Sequence, residues 1–142
     1  MAPGGVLFAV DPYPAGRLGF SAAKIIARSE VGKSRNGKVR WLQMTHQNPA
    51  RYFEESGEPP VDVIFSDASN DYRGFEATWV VWSRPIRRGG IYILANRLAT
   101  PLRRIADAGS VRFTRDVVEN DRRFEKVETV ETFTVLRRRS VS

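Results

Sequence analysis

Three apolar runs in this chain each end in a group that can donate or accept a hydrogen bond. Val6 to Val10 ends at Asp11, the run Val39 to Gln43 is followed by Thr45-His46, and Val61 to Phe65 is followed by Ser66-Asp67. In open sheets built of parallel strands the ligand sits beyond the carboxyl ends of the strands, so these are the positions from which side chains reach a ligand. A carboxylate at a strand end can accept both hydroxyls of a ribose through charge-assisted hydrogen bonds. Small polar residues at the next strand ends could flank an adenine. Together these residues outline a nucleoside site. The alternative at this level is that strand ends are polar simply because they leave the core.

Other constellations carry less. Residues 27–34, ARSEVGKS, match the literal pattern of a phosphate-binding loop. That chemistry needs a strand before the loop and a helix starting at the lysine. Here a helical segment precedes the pattern and Asn36-Gly37 breaks the chain soon after Lys33, so a phosphate-loop nucleotide-binding protein is a remote alternative. Asp67, Ser69 and Asp71 have the spacing of the first three ligands of a calcium loop. Tyr72 and Thr78 stand where that loop requires its glycine and its last acid, which excludes it. His46 is the only histidine, no cysteine is present, and no serine sits in a nucleophile-elbow context, so a hydrolytic triad is not expected.

The elements that would position the strand-end groups can be read from periodicity. Val61 to Phe65 reads as a buried strand. Phe75, Trp79, Trp82 and Ile86 recur at helical offsets, and Arg87-Arg88-Gly89-Gly90 reads as a basic helix end with a glycine stop. Ile91 to Ala95 is a second buried strand, ending at Asn96, so 61–96 reads as one βαβ unit of a parallel sheet. Upstream, Ser21 caps a helix carrying Ile25 and Ile26 to about Arg35. Asn48-Pro49 opens a helix that stops at Gly57. Downstream, Thr100-Pro101 opens a short helix ending at Gly109, 111–119 leans to a helical turn, and 124–130 and 132–138 read as strands. The order β-α-β-α-β-α-β-α-β-β predicts an α/β, Rossmann-like, doubly wound and mainly parallel sheet with a C-terminal antiparallel pair.

At 142 residues, 42% hydrophobic and 27% charged, the chain reads as one soluble globular domain spanning 1–142. The absence of cysteine excludes disulfides and thiolate metal sites. No apolar run reaches the length of a membrane span, and MAPGGVLFAVD has no basic segment before its short apolar run. No membrane partner is therefore expected, and the expected compartment is the cytoplasm. The net charge of +7 invites a nucleic-acid partner. The basic residues are scattered, without aromatic interleaving or a recognition motif, and read as a solvated arginine-rich surface. Self-association as a homo-oligomer is left open.

The stretch VDVIFSDASNDYRGFEATWVVWSRPIRRGGIYIL resembles the second half of class I S-adenosylmethionine-dependent methyltransferases, closest to the small-molecule O-methyltransferase-like branch. GVLFAVDPYP resembles that family's second strand with its ribose-binding acid, and FEKVETVETFTVLRRR its closing antiparallel pair. The resemblance implies S-adenosylmethionine as cofactor and methyl transfer to an oxygen of a small-molecule acceptor. It implies Asp11 on the ribose, Thr45 and His46 at the adenine edge, and Asp67 and Ala68 facing the cofactor. Asp67, Asn70 and Tyr72 then lie near the acceptor. Tyr72 has a second reading, a helix-start aromatic packed on Phe75.

Two departures from the family bear on this. Its first strand and glycine-rich loop would precede Gly5, so the resemblance implies an N-terminally incomplete domain, with a gap in the sheet or a rearranged one. The alternative function is a non-catalytic Rossmann-like module or a subunit needing a partner chain. Ser69 and Asn70 stand where relatives have aspartate and histidine, and Asn96 stands where metal-using relatives carry an acid. One carboxylate and one amide make a poor magnesium set, so no metal is expected.

Overall fold

The computed structural model describes residues 5–11, 21–32, 37–43, 52–53, 55–67, 71–95 and 108–140. The chain divides into two compact units, Met1–Asn48 and Pro49–Ser142.

In the first unit the apolar run forms β1 (Val6–Val10), followed by α1 (Ala22–Gly32) and β2 (Lys38–Leu42). β1 and β2 pair in parallel with Val6 opposite Lys38 and Val10 opposite Leu42. Ser21 caps α1 as its sequence predicts: its hydroxyl accepts from the Lys24 amide at 3.3 Å and its carbonyl from the Ile25 amide at 3.2 Å. The Lys24 ammonium reaches Gln43 just past β2 at 2.6 Å. The Arg28 guanidinium lies 5.6 Å from the Trp41 ring centre, within cation–π range. Because α1 continues to Gly32, the Ala27–Gly32 part of the phosphate-loop pattern is helix, not a cradle of free amides. Lys33 and Ser34 lie outside the described residues.

The second unit holds β3 (Val61–Ser66), α2 (Tyr72–Trp82), β4 (Ile86–Leu94), α3 (Gly109–Phe113), β5 (Phe124–Val130) and β6 (Phe133–Arg138). Residues 52, 53 and 55 are helical, within the segment that Asn48-Pro49 was expected to open. The sheet order is β3-β4-β6-β5. β3 and β4 run parallel and are joined by α2, which is the predicted βαβ unit, while β6 is antiparallel to both β4 and β5.

Registered rows explain which face is buried. Ile64, Tyr92 and Leu136 lie side by side across three strands, and Ser66, Leu94 and Thr134 form the next row. All six are buried, because period-two alternation puts them on the face covered by helices. Phe75, Thr78 and Trp79 of α2 supply the other side. Trp79 packs at 5.2 Å on Tyr92 and 5.1 Å on Phe124, and Phe75 meets Phe113 edge-on at 5.3 Å. Tilted and T-shaped pairs of this kind suit the ring quadrupoles. Truncating such a buried tryptophan costs about 3–5 kcal/mol. The opposite face carries the row Phe65, Ile93 and Val135, with Phe65 61% exposed and its neighbour Val63 55% exposed.

Three expectations are corrected. Ile86 is not on the helix: α2 ends at Trp82, Ser83 caps it, and Ile86 begins β4. Arg87 to Gly90 therefore belong to a strand and not to a helix end. Gly109 does not stop a helix but opens α3, which runs on into a π-helical turn, Thr114–Val118. The described strands form a parallel pair, β1-β2, in the first unit and a mixed four-stranded sheet, β3-β4-β6-β5, whose last two strands are the expected antiparallel pair, in the second. The helix expected after Thr100-Pro101 lies outside those residues up to Ala108.

Candidate functional site

The carboxyl ends of β3 and β4 are fastened together by the Ala95 amide, which donates to the Ser66 carbonyl at 2.9 Å. Both residues are buried. On the β3 side the next residue is Asp67, which is exposed. Asp71 then ends the connection by capping α2: its Oδ1 accepts from the Gly74 amide at 2.8 Å, and its carbonyl accepts from Phe75 at 3.1 Å. The cap satisfies one of the orphan amides of the first helical turn and places a negative charge at the positive end of the helix.

Tyr72 is the first residue of α2 and is half-buried. Its ring meets Phe113 edge-on at 5.1 Å and 77°. The expected aromatic packing at the helix start is present, with Phe113 of α3 as the partner in place of Phe75. Contact is close here because α3 begins with Gly109. A Cβ there would run into the Tyr72 amide nitrogen and come within 2.9 Å of the Asp71 carbonyl carbon.

Asp11 belongs to the first unit. It directly follows β1, its amide donates to the Leu42 carbonyl at 3.3 Å, and the residue is exposed. Its carboxylate thus stands past the end of a parallel strand pair, where ligands of open parallel sheets bind. Of the remaining sequence-derived site residues, Thr45, His46, Ala68 and Asn70 lie outside the described residues, as do Ser69 and Asn96. Among the described residues no group of three histidine, cysteine, aspartate or glutamate side chains could hold a metal ion.

Sequence reasoning missed Asp71 as a cap. Its signal was present: an aspartate immediately before the helical periodicity that begins at Tyr72 and Phe75.

The mixed α/β arrangement of these elements is similar to the fold of solved methyltransferases. A solved methyltransferase of the mycinamycin biosynthetic pathway, MycE, in complex with magnesium, S-adenosylhomocysteine and mycinamycin VI, matches 94% of this chain with a TM-score of 0.58 at 10% identity. The apo structure of CalS11, a TDP-rhamnose 3'-O-methyltransferase of calicheamicin biosynthesis, matches 92% with a TM-score of 0.57 at 12% identity. The chain spans about half the length of the structures it matches, 44% of the first and 56% of the second. No protein-family model and no curated protein matches it. No helix among the described residues is long and apolar enough to cross a membrane.

Proposed function

We propose that this chain is an S-adenosylmethionine-dependent methyltransferase domain spanning residues 1–142, acting on an oxygen of a small molecule. The observation that supports it most is the likeness to two O-methyltransferase structures over more than nine-tenths of the chain. Carboxylates directly beyond two parallel strands, Asp11 and Asp67, add to it. When bound, S-adenosylmethionine supplies an electrophilic methyl group on a sulfonium. Asp11 accepts hydrogen bonds from the ribose hydroxyls, with Thr45 and His46 at the adenine edge. Asp67 and Ala68 face the cofactor. Asp67 also accepts the hydrogen bond of the acceptor hydroxyl and, with Asn70 and Tyr72, holds its oxygen in line with the methyl group. Such positioning supplies most of the rate advantage in a displacement of this type. No metal is assigned. In this reading the two sheets belong to one doubly wound domain in the cytoplasm.

Calorimetric titration with S-adenosylhomocysteine tests the reading. Binding in the micromolar range is expected, and Asp11→Ala weakens it about tenfold or more by removing charge-assisted hydrogen bonds. No heat at millimolar ligand leaves the fold in place and removes the enzyme.

One observation favours a second reading, a Rossmann-like module completed by a strand from another chain. Among the described residues β3 pairs only with β4, although Val63 and Phe65 on it are exposed and apolar. Unpaired apolar strand edges are what natural sheets avoid. A solution mass equal to a monomer that binds cofactor by itself rejects this reading.

A further inference from the structure

The register between β3 and β4 breaks at one place. Val61 pairs with Ile86 and Val63 with Ile91, so Asp62 alone faces the four residues Arg87 to Gly90. The surplus is accommodated as a large bulge in β4, with Gly89 at φ +75°. Gly90 is held so tightly that a Cβ would come within 2.9 Å of the carbonyl oxygens of both Arg87 and Asp62. Bulges cluster beside functional sites because they re-aim side chains that a regular strand would alternate between faces.

Here the bulge aims arginines at a cavity of about 440 Å³, a size in the range of small-molecule sites. Its apolar walls are Phe53, Pro59, Pro60 and Ile86, and its rim carries Arg84, Arg87, Arg88 and Arg138 against the single acid Glu58. The four cations are not equivalent. Arg138 is committed to the fold, donating to the Arg84 carbonyl at 2.7 Å and to the Ile86 carbonyl. Arg87 pairs with Asp62. Arg84 and Arg88 are exposed and make no side-chain hydrogen bond or ion pair among the described residues. Pro59, Pro60 and Pro85 stiffen the floor, and the Val61 amide bonds the Pro85 carbonyl at 2.7 Å. Binding therefore orders the two arginine side chains and not the floor.

We propose that this pocket binds a phosphorylated small molecule, with Arg84 and Arg88 gripping the phosphoryl oxygens and Phe53 with the prolines covering the organic part. Guanidinium forks match phosphate geometry and stack on planar groups, which an apolar pocket rimmed by arginines favours. The pocket lies at the amino ends of β3 and β4. Asp67 follows their other ends, roughly 20 Å away along the strands. The site is separate from the one assigned to methyl transfer and stands or falls without it.

Calorimetry with inorganic pyrophosphate as the probe tests the proposal on the full chain. Wild-type protein is expected to bind, and R84Q/R88Q to weaken binding at least about tenfold with an unchanged melting temperature, since both side chains are exposed. R73Q, which removes a cation elsewhere on the surface, is the control and leaves affinity unchanged. Uridine diphosphate is expected to bind more tightly than pyrophosphate, and Phe53→Leu to reduce that advantage. Absence of binding to pyrophosphate overturns the proposal. So does an equal loss in R73Q, or a single-stranded oligonucleotide that binds more tightly than either small ligand, because both outcomes assign the anion affinity to diffuse surface charge.

Discussion

Gly109 and Tyr72 touch backbone to backbone: the first residue of α3 sits where any Cβ would strike the amide that opens α2. Tyr72 therefore owes its position to a glycine 37 residues downstream as well as to its own helix. Gly109→Ala is expected to push the start of α2 away from α3 and to break the edge-on contact of Tyr72 with Phe113. Strain of this kind costs typically about 1–3 kcal/mol. Thermal melting checks the loss of stability. Tyr72 is proposed to contact the acceptor, so the same variant should lower methyl transfer more than it lowers affinity for S-adenosylhomocysteine.

Asp71 offers a smaller, separable effect. Removing its side chain leaves the Gly74 amide without its acceptor, and an N-cap aspartate changed to alanine costs about 1 kcal/mol. Asp71→Asn keeps an acceptor and should recover most of that. Denaturant unfolding of the two variants gives the comparison, and equal losses would show that the carboxylate acts by charge and not as a cap.

These two residues also show what the sequence could and could not disclose. β1, β3, β5 and β6 appear within a residue of where alternation and apolar runs predict them, because burial on a period of two or in continuous runs leaves a local trace. The start of α1 was legible in Ser21 because a cap acts on the amide three residues on, also a local relation. The end of α2 was not. Ile86 falls on the helical spacing of Phe75, Trp79 and Trp82, and it is buried in the same core, but it gets there from a strand. Arg87 to Gly90 has the composition of a helix stop and forms a bulge instead, since only the pairing partner, β3, shows that β4 carries surplus residues. Gly109 is the same kind of case, because its constraint comes from a distant backbone. At the candidate site, Asp11 and Asp67 were legible as residues directly beyond strands. The partner of Tyr72 was not, because the choice between Phe75 and Phe113 depends on where α3 packs.

The turn between α3 and β5 makes a pH-dependent contribution. Partial burial of Asp121 opposes ionisation, but hydrogen bonds from the Arg123 side chain and amide outweigh it and hold the carboxyl below its ordinary value. Arg123 also reaches the buried Ser83 hydroxyl at 3.2 Å. A carboxyl depressed in the folded state adds stability above its unfolded pKa, about 3.9, and that stability is lost as pH falls through the folded value. Arg123→Gln should therefore cost about 1 kcal/mol at pH 7, discounted because the guanidinium is half exposed. The gap between wild type and variant should persist down to about pH 4 and close below it. Melting curves from pH 7 to pH 2 decide this, and a gap independent of pH would assign the effect to the contacts of Arg123 with Ser83 and with the Phe124 ring, 5.7 Å away, and not to Asp121.

The exposed apolar side chains of β3 lead to the last prediction. Phe65 contacts Phe133 at 6.2 Å and is otherwise largely in solvent, as is Val63 two residues earlier. Replacing both with lysine removes one loose ring pair, worth about 1 kcal/mol at most, and adds the charges that natural edge strands use against unwanted pairing. If this face is solvent-exposed in the working protein, the double variant melts within a few degrees of wild type and both elute as monomers. If the face is covered by a strand or a second chain, the two lysines must be desolvated. The variant then loses its partner, and wild type alone elutes above the 16.1 kDa of the monomer. The two outcomes separate a self-sufficient domain from one that is completed from outside, independently of whether cofactor binds.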